Sequence, residues 1–188
     1  MTRKQAVDLL HENMKNQNLR KHCYAVEAVM KALAKYFKEN EDTWGIAGLL
    51  HDADYELTKD NAKKEHTKHI LDWLKKFDAE TDVHDAIAAH AWGYVDGAPE
   101  PKMKMQWALY CCDELTGLIV AVALVKPDKR LASVTVDSIM KKWNSQSFAA
   151  GVDRKQIGEC EPRLGVPLRE FIQVTLTAMQ GISKDLGL

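Results

Sequence analysis

The chain has 188 residues, enough for one hydrophobic core that hides roughly 70% of the surface its unfolded form would expose. Apolar residues make up 46% and charged residues 28%, a balance that suits a globular protein and that is too polar in its distribution for a bilayer span. With 26 basic against 27 acidic residues the net charge is −1, so no overall field would draw the protein onto a nucleic-acid polymer or an anionic membrane.

The opening MTRKQAVDLLHENMKN lacks the apolar core and small-residue cleavage site of a secretory signal and reads as an amphipathic helix, which leads to the expectation of a cytoplasmic protein. Thr2 and Gln5 form a capping box for a first helix to about Met14. A second helix runs from about Asn18 to Phe37, with Tyr24, Val26, Val29, Met30, Leu33 and Phe37 as its apolar stripe. Asp42 or Thr43 caps a short, buried third helix, TWGIAGLLHD, whose Gly45, Ala47 and Gly48 allow neighbours to come close. ADYELTKD then reads as a loop, Asp60 or Asn61 starts a helix through Phe77, and Asp82 opens another to about Ala91. WGYVDGAPEP, with two glycines and two prolines, is an irregular connection. Beyond it, PKMKMQWALYCCDELTGLIVAVALV is the longest apolar periodic segment and the expected central core helix, with Pro101 in its first turn. Three more helices follow near 134–144, 152–161 and 167–186, the last begun by Pro167. The fold class is all-α, in one domain over 1–188. The four cysteines, without a CxxC spacing, read as free thiols, mostly in the core.

Two His–Asp dipeptides stand out, His51–Asp52 and His84–Asp85. With seven histidines in a chain this rich in aspartate, such a pair by itself says little. Context separates them. His51–Asp52 closes the apolar run Ile46, Ala47, Gly48, Leu49, Leu50, where burial would force two ionisable groups into a poorly hydrated place that a divalent cation would relieve. His84–Asp85 lies in TDVHDAIAAH, where residue 84 has no clear inward direction.

Adjacent helical residues point about 100° apart, so other elements must complete a metal site. His22 lies on the apolar stripe of the second helix, and Asp113 interrupts the central helix in WALYCCDELTGLIV. Each has an ordinary alternative, a histidine bonded to a carbonyl or an aspartate paired with a lysine, but the four together make a constellation.

The order His22, His51–Asp52, Asp113 resembles the H…HD…D signature of the HD-domain superfamily of metal-dependent phosphohydrolases. The pattern from AGLLHDADYELTKD through CCDELTGLIVAVALVKPDKRL to FAAGVDR is similar to that of small bacterial HDIG-type hydrolases, although residues 51 to 54 read HDAD. The resemblance implies a single HD-type helical bundle. It also implies a set of six ligands in some members, for which His66 and His90 stand in the intervening positions; they either hold a second ion or hydrogen-bond substrate phosphate.

Imidazole and carboxylate ligands without thiolate suit one or two ions of Mn, Fe, Co, Ni or Mg. Asp52 is the natural bridge between two ions. Asp54 and Glu56 either orient water and protonate the leaving group or cap the next helix and face solvent. Lys59 and Lys68, with Lys63 and Lys64, are candidates for phosphate contact, while Trp92 and Tyr94 either stack on a base, form a lid or pack. The function implied is hydrolysis of a nucleotide or other small phosphoester by metal-activated water. The alternatives are a non-catalytic metal- and nucleotide-binding regulator and a di-iron oxygenase of the HD type.

Overall fold

A computed structural model of the chain describes residues 1–77 and 79–188. Helix α1 (Arg3–Asn13) starts at Thr2, whose hydroxyl accepts the Gln5 N–H while the Gln5 side chain accepts the Thr2 N–H. Helix α2 (Gln17–Phe37) is capped by Asn16 and buries Val26, Val29, Met30 and Leu33. Helix α3 (Glu41–Leu50) begins earlier than its composition suggests. Asn40, rather than Asp42 or Thr43, is the cap, because its side-chain oxygen accepts the N–H groups of both those residues.

Helices α2 and α3 meet almost backbone to backbone at Gly48, where a Cβ would stand 2.8 Å from the Val26 carbonyl oxygen and 2.9 Å from Met30 Cγ. That approach sets the spacing between the side chains that follow Gly48 and those that precede Val26.

The segment after His51 departs from expectation. ADYELTKD is a short helix α4 (Tyr55–Thr58) running into a 3₁₀ turn at Lys59–Asn61. The helix expected from Asp60 or Asn61 to Phe77 is broken into α5 (Ala62–Glu65) and α6 (Lys68–Lys75), with Thr67 at φ 71° between them. The cause is a cap delivered from elsewhere in the chain: the N–H groups of Thr67, His69 and Ile70 donate to the buried carboxylate of Asp54.

Helix α7 (Thr81–His90) leads into the irregular connection, and α8 (Lys104–Leu124) follows. Pro101 lies before α8, not in its first turn, because the Gln106 side chain accepts the Lys102 and Met103 N–H groups and sets the helix start beyond them. Helix α8 is long and apolar enough to cross a membrane, yet it is the core helix, with α2, α7 and the later helices α10 (Arg154–Gly158) and α12 (Leu168–Gly181) packed on it. Between and after these come α9 (Val136–Trp143), α11 (Cys160–Leu164) and α13 (Ser183–Leu186). The two last expected helices are thus each split, and Pro167 stands immediately before α12. Buried apolar residues from α1 to α13 form one contiguous cluster that includes all four free cysteines. Among the described residues there is no β-strand.

Candidate metal centre

His22, on α2, stands one helical turn before Val26, the residue whose carbonyl touches Gly48; His51 lies one turn after Gly48, just past the end of α3. The close approach of the two backbones therefore brings the two rings together, with their Nε2 atoms 3.1 Å apart. Asp113 arrives from the middle of α8 and places Oδ1 at 2.9 Å from His22 Nε2 and 3.4 Å from His51 Nε2. Asp52 closes the group with Oδ2, at 3.7 Å from His22 Nε2 and 3.6 Å from His51 Nε2.

The other oxygen of Asp52 faces a second pair of imidazoles. Oδ1 lies 3.2 Å from His66 Nε2 and 3.5 Å from His90 Nε2, and those two nitrogens are 3.2 Å from each other. His66 comes from the break between α5 and α6, and His90 from the end of α7.

Neighbouring acceptors set the tautomer of every one of these rings. His51 Nδ1–H donates to the Gly48 carbonyl at 2.8 Å, and His90 Nδ1–H to the Ile87 carbonyl at 2.6 Å. His66 Nδ1–H donates to Asp54 Oδ1 at 3.0 Å. His22 takes its partner from α8: the Thr116 hydroxyl spends its proton on the Asp113 carbonyl at 2.8 Å, so it accepts from His22 Nδ1–H at 3.2 Å. With the rings neutral, all four Nε2 atoms are thereby left with lone pairs turned inward. Lone pairs 3.1 to 3.2 Å apart repel unless a positive charge lies between them. Nitrogen and carboxylate donors so oriented fit divalent cations, with the outer hydrogen bonds holding the rings in place as is usual for metal-bound histidine.

Residues 19–107 match the family model of the HD domain. Over that stretch the chain is similar to the HD domain. None of the curated proteins matches it. HD domains bind divalent metals and typify a superfamily of metal-dependent phosphohydrolases, with which this His/Asp cluster is compatible. The matched segment holds His22, His51, Asp52, His66 and His90; Asp113 lies beyond it on α8, and the fold carries it back to the others.

Electrostatics of the centre show the same demand for positive charge. Burial alone would lower the pKa of His51, but the carboxylates of Asp52 and Asp113 push it up to about 9. Burial works in the same direction on His66, and Asp52 and Asp54 raise it to about 10. Burial would raise Asp52 and Asp113, yet the surrounding imidazoles hold both carboxyls well below the usual range. For His90 burial prevails and its pKa falls.

The centre opens into a cavity of about 460 Å³ whose wall includes Tyr55, Tyr94, Glu114, Gly117, Val152 and Gln156. Glu114 accepts the Asp153 N–H at 2.9 Å, and burial together with the neighbouring Asp113 raises its carboxyl to about 7. Glu114 and Thr116 were not evident in the sequence. Their only trace was position, one and three residues after Asp113, in a helix where many residues share those spacings.

Several expected site residues lie elsewhere. Asp54 is fully buried behind His66, and its two oxygens are occupied by His66 Nδ1–H and three backbone N–H groups, so it positions a ring and caps a helix. Glu56 accepts the Lys15 and Asn16 N–H groups at 2.6 and 2.9 Å and ties down the turn between α1 and α2. Neither borders the cavity. Lys59 and Lys68 are exposed, because the 3₁₀ turn and the first turn of α6 direct them outward, and the cavity wall carries no lysine or arginine among the described residues. Trp92 packs against Trp107 and Tyr110, whereas Tyr94 reaches the cavity and is 48% exposed.

Proposed function

We propose that this protein is a metal-dependent phosphohydrolase of a nucleotide or other small phosphoester, working with two divalent cations that share Asp52. The observation that carries the reading is the division of the Asp52 carboxylate, one oxygen toward His22 and His51 and the other toward His66 and His90. His22, His51, Asp113 and Asp52 Oδ2 would hold one ion; His66, His90 and Asp52 Oδ1 would hold the other. The donor set suits Mn, Fe, Co, Ni or Mg.

Divalent cations in such a site supply hydroxide at neutral pH and draw charge from a phosphoryl oxygen. The chain's own residues supply the rest. With no lysine or arginine on the described cavity wall, the centre would leave charge compensation of the phosphate to the cations that its ligands would hold. Glu114 is the wall carboxyl outside the two ligand groups and is placed to pass a proton to the leaving oxygen. Tyr55 packs edge-on to His66 and, with Tyr94, flanks the substrate at the mouth.

The test is elemental mass spectrometry of the purified protein beside Asp52→Ala, with phosphate release measured on a panel of phosphoesters in Mn. Near two equivalents of metal and turnover in the wild type, both lost in the variant, are the expected results. No Mn uptake by the wild type, or phosphate release retained in Asp52→Ala, would overturn the reading.

A further inference from the structure

A second groove, of about 550 Å³, adjoins the metal cavity and shares His22 and Gly117 with it. It runs between α2 and α8 and is closed from below by the end of the chain; Ala25, Val120, Leu124 and Leu186 supply its apolar lining. Lys21 and Asn18 are polar members of its wall on the α2 side. From Gly117 to Leu124 the groove follows α8 for about 10 Å at about 1.5 Å per residue. Leu124 and Val125 at that end of α8 are 50% and 59% exposed, so the apolar lining continues to the surface.

Gly117 sits at the junction of the two spaces. A glycine inside a long helix is unfavourable relative to alanine, and neither of the usual reasons for one applies at this position. Its φ is not positive, and an added Cβ would meet only Val152 Cγ2, at an ordinary 3.8 Å. What the missing side chain does is leave the wall low where the metal cavity meets the apolar groove. The His22 ring forms the other side of this passage, its Nε2 turned to the metal ligands and its body bordering the groove.

We infer that the groove receives an apolar tail of the substrate, so that the substrate class is an amphiphilic phosphoester whose head sits at the metal centre and whose chain passes Gly117 toward Leu124. The inference rests on the hydrolase reading for the head group and on the groove itself for the tail. The polarity supports this occupant: the anionic head lies among groups that bind cations, and the tail lies along aliphatic side chains reached directly from the head-group cavity.

The experiment titrates ethyl phosphonate and n-octyl phosphonate into the Mn-loaded protein by calorimetry. A phosphonate is not hydrolysed, so the readout does not depend on turnover. Each methylene removed from water is worth about fourfold in affinity, and burial of only some of the six additional ones predicts an octyl preference of about 30-fold or more. Gly117→Leu, which blocks the passage, and Leu124→Glu, at an exposed position that folding tolerates, should each reduce that preference to a few-fold. Equal binding of the two phosphonates by the wild type, or a preference untouched by both variants, would overturn the inference even if short phosphoesters are hydrolysed. Octyl selectivity without phosphate release from any ester would uphold the tail site and remove the hydrolase reading. Should sedimentation show that Leu124→Glu dissociates a dimer while octyl phosphonate has no advantage, the groove is a contact between copies and the inference falls.

Discussion

His51–Asp52 and His84–Asp85 are the same dipeptide on two helices that pack against each other, the first just past the end of α3 and the second in the middle of α7. The first pair has a fully buried imidazole, fixed by the Gly48 carbonyl, and a carboxylate shared by four histidines. In the second pair the side chains of His84 and Asp85 are 35% and 53% exposed, and 3.6 Å separates the closest nitrogen and oxygen. The difference lies in the neighbours. The first dipeptide ends a helix pressed against α2 through Gly48, where apolar packing excludes water and other ionisable groups must satisfy it. The second lies on a turn of α7 whose buried face is made by Val83, Ala86 and Ile87, and solvent satisfies the pair.

The sharpest way to break this contrast is to remove each aspartate in turn. Asp52→Ala should release the bound metal and abolish phosphate release. With metal present at about a thousand times its Kd, the loss of linkage would also lower unfolding free energy by roughly 4 kcal/mol, visible as a lower melting temperature. Metal retained in Asp52→Ala, or lost in Asp85→Ala, would show that the wrong dipeptide has been assigned.

Asp54→Asn tests the support of the centre without touching a ligand. The amide keeps the shape but turns one acceptor into a donor facing groups that already donate, and His66 loses a charged partner. Mn affinity should fall roughly 10–100-fold in a titration, as for other groups that orient metal-bound histidines. An unchanged affinity would mean that Asp54 serves only to cap α6.

A smaller effect comes from pH. In metal-free protein, His51 and His66 have pKa values of about 9 and 10, raised from 6.5. A raised folded-state pKa stabilises the fold below the unfolded value, and that contribution is lost as pH climbs through the folded one. The chelated protein should therefore melt at progressively lower temperature from pH 6.5 toward 10. Saturating Mn should flatten the trend, because the cation replaces the protons. His90, whose pKa is lowered, acts below pH 6.5 and does not oppose this slope. A chelated protein whose stability is flat over that interval would contradict the charge balance described for the centre. The smallest expected change is at the exposed pair: Asp85→Ala should stay within about 0.5 kcal/mol of the wild type in denaturant unfolding.

Much of the helical layout was legible because it depends on neighbours in the chain. Thr2 and Gln5 announced a cap that the structure contains, and the stripe on α2 and the apolar length of α8 were visible as periodicity. Breaks made by distant residues were not. Nothing between Asn61 and Phe77 signals that the backbone will turn at Thr67, since the carboxylate responsible is Asp54. The same holds within the site: Asp54 and Glu56 follow His51–Asp52 closely enough to suggest chemistry, yet one is saturated behind a ring and the other holds the α1–α2 turn.

By itself the sequence determined that the chain is helical and which polar groups would be stranded on apolar faces, His22, His51, Asp52 and Asp113 among them, because both follow from spacing along a helix and the cost of burying charge. Only the tertiary structure decided that these groups meet, that one carboxylate divides between two pairs of histidines, and that Glu114 and Gly117 border the same space. Those relations depend on how closely helices pack, through Gly48 against Val26 and Asp113 back against His22, and distance between helices is not written in the period of any one of them.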